Sequence, residues 1–190
     1  MKWSSTLPAL LLAVCLSGCS TISSDDVANL KGKNDALRKE SLARLCIVPG
    51  TLDSVLNIFR SRGNERKAIS ILIESLAGRD NPEEIDVYML RALGELGKHN
   101  RVPYQALADR LTDERPLVRY RAAEALGKIK SKEAVPALIQ SLDDAENKYT
   151  VIWALGEIRD KGAVEPLNRL WASSDRYERY NAGRALSKIR

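Results

Sequence analysis

Histidine is nearly missing from this chain: 190 residues hold one, His99. A metal site or relay built on paired imidazoles is therefore excluded from the start. Cysteine is scarce too, with three. Cys15 falls inside an N-terminal apolar run, and Cys46, in Leu45-Cys46-Ile47, reads as a small buried apolar residue. Aromatic residues make up 5% of the chain, with a single phenylalanine, so any core must be aliphatic. No CxxC pair, phosphate-binding glycine loop or nucleophile elbow is present. The longest apolar run, Leu7 to Leu16, is too short to cross a bilayer as a helix.

What is present is repetition. Ala-Leu-Gly occurs at Ala92-Leu93-Gly94, Ala125-Leu126-Gly127 and Ala154-Leu155-Gly156, with Ala185-Leu186-Ser187 as an imperfect fourth copy. A spacing near 30 residues is the mark of stacked helical repeats. Val118, Ala122, Ala125, Leu126 and Ile129 follow i, i+4, i+7, i+8, i+11, one stripe of an α-helix. Ile85, Met89, Ala92, Leu93 and Leu96 repeat the stripe upstream; Val151, Ala154, Leu155, Ile158 and Ala182, Ala185, Leu186, Ile189 repeat it downstream. Each such A helix leads through a polar turn to a second apolar segment, B, as at Ala134-Val135-Pro136-Ala137-Leu138 and Ala163-Val164-Glu165-Pro166-Leu167. Ala68 to Leu76 matches Ala134 to Leu142 two periods upstream. Asn81-Pro82-Glu83-Glu84 reads as a helix start: cap, proline, then acids in the positive first turn. The Leu52-Val55-Leu56-Phe59 segment reads as a degenerate terminal A helix, and a helix around Asp35 to Leu45 as a cover for it.

Glycine inside a helix costs about 1 kcal/mol relative to alanine, so its return at one register points to close helix packing. Seven residues before the last three copies of that position stand Tyr120, Tyr149 and Tyr180, each preceded by a base: Arg119, Lys148 and Arg179. Two readings stay open for this ladder. It is a stripe for an acidic partner, or the tyrosines pack between repeats while the bases pair with turn carboxylates such as Asp113, Asp143 or Asp175. The upstream copy has Asp86 in the basic slot, which breaks a continuous stripe.

Asp113 to Asp144, DERPLVRYRAAEALGKIKSKEAVPALIQSLDD, resembles the HEAT-like repeat of the phycobilisome lyases. The resemblance covers roughly residues 65 to 190. It implies an all-α fold, a right-handed α-solenoid of about four and a half helix pairs. For activity it implies little, because scaffolds, lyases, hydroxylases and repair proteins share such repeats. Helical solenoids bind on the concave face, lined here by the B helices. The B copies in register put Glu74, Asp109, Gln140 and Arg169 at one outward position with Arg110 beside them, either a binding groove or a solvated face. That stripe would run from acidic to basic along the stack.

The N-terminus carries a second resemblance. A basic start, the apolar run and Leu16-Ser17-Gly18-Cys19 resemble the bacterial lipobox, which implies cleavage before Cys19 and acylation of its thiol. With Ser20 following, the resemblance favours the outer membrane, facing the periplasm. Two or more acyl chains give stable anchoring. The expected organisation is a signal peptide over 1–18, a tether over 19–34 and a repeat domain over 35–190. Removal of 1–18 takes one base, Lys2, and leaves 29 basic and 25 acidic residues, a net charge of +4. The interspersed acids and the location disfavour nucleic acid as a partner.

The expected function is thus a membrane-tethered protein-interaction scaffold in the bacterial envelope, with a protein partner, no cofactor and no catalytic residue. The alternative is a lyase-like or enzyme-accessory protein that holds a cofactor or small ligand in the solenoid groove. His99, in the turn Gly97-Lys98-His99-Asn100, reads as a helix-end residue.

Overall fold

This computed structural model describes residues 65–78 and 81–189, all within the second of two compact units, Gly63–Arg190. The expected boundaries at 18 and 34, Cys19, Cys46 and the degenerate first A helix lie outside the described residues.

The described residues form helices and turns and no strand. Helix α1 is Glu65–Leu76, α2 Glu83–Leu96 and α3 Gln105–Ala108, which tightens into a 3₁₀ turn at Asp109–Thr112. Helix α4 is Pro116–Ile129, α5 Val135–Gln140, α6 Lys148–Ile158, α7 Val164–Trp171 and α8 Arg176–Ile189. The A helices are α2, α4, α6 and α8; the B helices are α1, α3, α5 and α7. In chain order α2 packs on α4, α4 on α6 and α6 on α8, while α3, α5 and α7 each pack on the A helix that follows. This is the expected all-α solenoid arrangement.

The ends of the A helices follow from local chemistry. Pro116 opens α4, where its missing N–H leaves no bond unmade. Glu83, Glu84 and Asp86 fill the first turn of α2. Lys130 and Arg159 close α4 and α6 in the left-handed region, at φ 54° and 59°. Lys130 N–H returns to the Leu126 and Gly127 carbonyls, so orphan acceptors of the last turn are satisfied. Asn81 departs from expectation, since it makes no side-chain cap on α2. Its amide instead donates to the carbonyls of Ser75 and Gly78, at 2.9 and 3.0 Å, and to Asp86 Oδ1 at 3.0 Å. Proximity of the α1 end thus overrides the local capping preference.

The apolar stripes face inward. Met89, Leu90, Leu93, Leu126, Ile152 and Leu155 have no exposed surface. Burying a leucine or isoleucine contributes about 1.5–3 kcal/mol, so these A-helix residues supply much of the stability. The Ala-Leu-Gly register sets the helix spacing. A methyl at Gly94 would stand 3.1 Å from Ala125 Cα; one at Gly127 would meet Ala154 Cα at 2.9 Å and Trp153 Cζ3 at 2.8 Å; one at Gly156 would meet Ala185 Cα at 2.9 Å. Each glycine therefore receives the alanine of the next copy, backbone against backbone. Dispersion attraction at this close approach offsets the helix penalty of the glycine.

Candidate functional site

The expected groove residues meet two fates. Glu74, Asp109, Gln140 and Arg169 are exposed on successive B segments. Glu74 accepts from Ser70 Oγ at 3.4 Å, and Asp109 from Gln105 Nε2 at 2.8 Å. Arg169 pairs with Glu165 at 2.6 Å on an open surface, which locally cancels the positive end of the stripe. Arg110 does not belong with them. It is buried, with 6% of its surface exposed. Its guanidinium donates to the Leu76 carbonyl, to the Gly78 carbonyl at 2.8 Å and to Asp113 at 3.3 Å. Placing it on the outward face was an error of register: the 3₁₀ tightening at Asp109–Thr112 departs from the 100° steps of an α-helix.

The basic-tyrosine ladder is tied to the stacking. Arg119 reaches Asp144 at 2.7 Å and Glu146 at 2.6 Å, both in the turn before the next A helix. Lys148 reaches Glu178 of α8 at 2.8 Å. Arg179 donates to the Ser173 and Ser174 carbonyls at 2.9 and 2.7 Å. In the upstream copy, buried Asp86 accepts from Arg115 at 2.5 Å, and Arg115 also grips Asp113 at 2.8 Å. The Arg115 hydrogen bond holds the Asp113 carboxyl down at about 2, from an ordinary 3.8. Bonding to Arg119 lowers Asp144 in the same way, and the Glu178 carboxylate raises Lys148. Of the turn carboxylates expected to take these bases, Asp144 stands where Asp143 was expected. The tyrosines grow more exposed along the stack: Tyr120 is half-buried, Tyr149 is 42% exposed and Tyr180 63%. Arg121 lies 5.1 Å from the Tyr120 ring centre and Arg184 lies 5.7 Å from that of Tyr180.

A second charge register runs just past the glycines. Glu95, Lys128, Glu157 and Lys188 alternate in sign along the A helices. Lys128 pairs with Glu95 at 3.1 Å, and Lys188 pairs with Glu157. These bonds cross repeat junctions and fix the vertical register of the stack. His99 is exposed in its turn, and no three His, Cys, Asp or Glu side chains are grouped to hold a metal among the described residues. No described helix is long and apolar enough to cross a membrane.

One concavity was missed by sequence reasoning. A groove of about 610 Å³ lies between α7 and α8, walled by Val164, Asn168, Trp171, Leu186 and Ile189 with Lys161 at its rim. That volume falls within the range of small-molecule sites. Trp171 is 57% exposed, although tryptophan is the largest apolar side chain available. The one available signal was a tryptophan at the end of the last B segment, Val164–Trp171, where the earlier B segments carry none.

Residues 69–150 match the model of HEAT repeats, and 148–170 match that of the PBS lyase HEAT-like repeat. A bilin biosynthesis protein, PecE, of a Nostoc species is 43% identical over 54% of this chain and 43% of its own length. Its counterpart from Mastigocladus laminosus is 42% identical over 53% of this chain and 40% of that protein. The chain thus spans about two-fifths of the length of the curated relatives it matches. Among solved structures, the complex of CpcE and CpcF of phycocyanin lyase from Nostoc shares the fold, with a TM-score of 0.63 at 23% identity over 90% of this chain and 66% of that one.

These relatives overturn the expectation of a membrane-tethered scaffold without an enzymatic role. The relatives in sequence are named for bilin biosynthesis, which favours the alternative, a lyase-like or enzyme-accessory protein with a cofactor or small ligand. The physical reason for the error is plain: the repeat residues that recur serve stacking, so they carry no trace of what the surface holds. Residues 69–170 are a run of HEAT-like repeats, and the chain is similar in sequence to bilin biosynthesis proteins and in fold to the phycocyanin lyase complex.

Proposed function

We propose that this chain is a lyase-type, bilin-handling protein: it holds an open-chain tetrapyrrole on its repeat surface and serves an enzymatic reaction together with a second chain. The similarity to PecE, 43% identity over 114 residues, carries this reading. Shared architecture with the CpcE–CpcF complex supports a protein partner. The repeat stack suits such work, since a rigid row of helices presents side chains at fixed spacing without ordering cost on binding.

The test is spectroscopic. Purified full-length protein is mixed with biliverdin, and the visible absorbance and induced circular dichroism are recorded. A shifted, optically active band that saturates at a fixed stoichiometry is the expected result. A spectrum identical to free pigment under excess protein would sink the reading.

Location is a separate proposal, resting on Leu16-Ser17-Gly18-Cys19. Cys19 is acylated and the protein resides in the bacterial envelope, at the outer membrane facing the periplasm. Labelled palmitate should enter the wild-type protein and not the Cys19→Ala variant. Equal labelling of both, or of neither, counts against the anchor.

A further inference from the structure

We infer that the groove between α7 and α8 is a seat for a flat, conjugated molecule bearing a carboxylate, with Trp171 as its stacking wall and Lys161 as the carboxylate's partner. This rests on the bilin-handling reading and gives it a place.

The walls match that chemistry. Val164, Leu186 and Ile189 make an apolar floor, and the indole of Trp171 forms one side. Gly183 faces that indole: a methyl there would stand 3.5 Å from Nε1 and 3.6 Å from Cδ1, so the ring lies against the bare helix backbone. With 57% of its surface exposed, the indole has area left for contact with a planar π-system. Two polar heads beside it are uncommitted. Lys161 enters none of the ion pairs of the described residues, whereas the nearby cations Arg169 and Lys188 are held by Glu165 and Glu157. The Asn168 side chain likewise makes no hydrogen bond among the described residues, leaving an amide to meet ring N–H or carbonyl groups.

The same end of the stack is unsuited to another helix of the Ala-on-Gly kind. Ser187 stands where Gly94, Gly127 and Gly156 stand in earlier copies, and its hydroxyl is turned back to the Arg184 carbonyl at 2.7 Å. A side chain at that register keeps a following backbone at a distance. The groove lies beside this changed register, and its cation and aromatic wall suit a charged planar ligand.

The experiment compares biliverdin, a dicarboxylate, with its dimethyl ester on full-length wild type, Trp171→Ala and Lys161→Glu. Both substituted residues are exposed, so helicity is expected to persist and far-ultraviolet circular dichroism checks it. Trp171→Ala should weaken both pigments about tenfold, roughly the worth of one aromatic contact. Lys161→Glu should weaken the free acid about tenfold and leave the ester within twofold. If wild type binds and neither variant changes the affinity, the seat is elsewhere and the bilin reading stands. Equal loss of acid and ester in Lys161→Glu would remove the carboxylate contact. If wild type binds neither pigment, the seat and the functional reading fall together.

Discussion

The junctions from α2 to α8 and the open side of α8 use the same repeat positions with opposite results. At the three junctions a glycine receives the next alanine, and a methyl on any of these glycines would meet backbone at 2.9–3.1 Å. On the open side the glycine becomes Ser187, the stripe residues Leu186 and Ile189 are half-buried, and Tyr177, Tyr180 and Trp171 are exposed. The charge slot changes in parallel. Asp86 is fully buried and held by Arg115 and Asn81, while Arg179, its counterpart near the open end, is exposed and holds two carbonyls. Register alone does not set the chemistry of a repeat position; what is stacked upon it does.

Gly127 is where a closed junction should be most sensitive. Gly127→Val places atoms against Ala154 Cα and Trp153, where neither helix backbone can yield cheaply. A loss of about 3 kcal/mol is expected, read as a lowered urea midpoint, because overpacking at a rigid junction costs 1–3 kcal/mol or more and valine adds helix strain. A midpoint unchanged from wild type would mean that the junctions are looser than the glycines indicate.

Asp86→Ala comes next. It takes one carboxylate from Arg115, which keeps Asp113 and the Asn81 carbonyl, and one of three acceptors from the Asn81 amide. Removing one partner of a buried charge pair costs about 3–5 kcal/mol, and the surviving Asp113 contact reduces this to about 2. Arg179→Ala, at the equivalent open-end slot, should leave the midpoint within experimental error; equal losses at the two slots would erase the contrast.

Acid should separate the regions more gently. A carboxyl held at about 2 in the folded state and near 3.8 when unfolded stabilises the protein above pH 4. That contribution is lost as pH falls from about 4 to 2. Asp113→Asn should therefore flatten the acid limb of thermal stability in that window and leave the profile above pH 5 parallel to wild type. Asp144, lowered by Arg119, steepens the same limb from the next junction.

The smallest effect has the opposite sign. At Gly183 a methyl meets Trp171 at 3.5 Å, an ordinary contact, so nothing need move. Gly183→Ala should stabilise by about 0.5–1 kcal/mol through helix propensity and reduced unfolded-state freedom. A destabilised variant would show that the indole of Trp171 is pressed tightly onto α8.

Much of the fold was legible because helix periodicity and a 30-residue repeat both leave marks in the order of residues. Val118 to Ile129 could be set on one face by counting, and Gly127 could be assigned to close packing because glycine has little other reason to recur inside a helix. Arg110 could not be placed by counting, since the 3₁₀ turn around it changes the angle per residue. Asn81 was read as a cap because its neighbours in sequence are those of a cap; its partners Ser75 and Gly78 are neighbours through the bend between α1 and α2.

The helices, their period, the inward stripes and the glycine-alanine register are written in the order of residues, because each depends on spacing within one or two turns. Stacking of the repeats dictates the rest: which base meets which acid across a junction, that Arg110 and Asp86 are buried, and that Lys161, Trp171 and Asn168 share a groove with α8. Such relations join residues far apart in the chain, and the distance between them is set by helix packing, which no local pattern records.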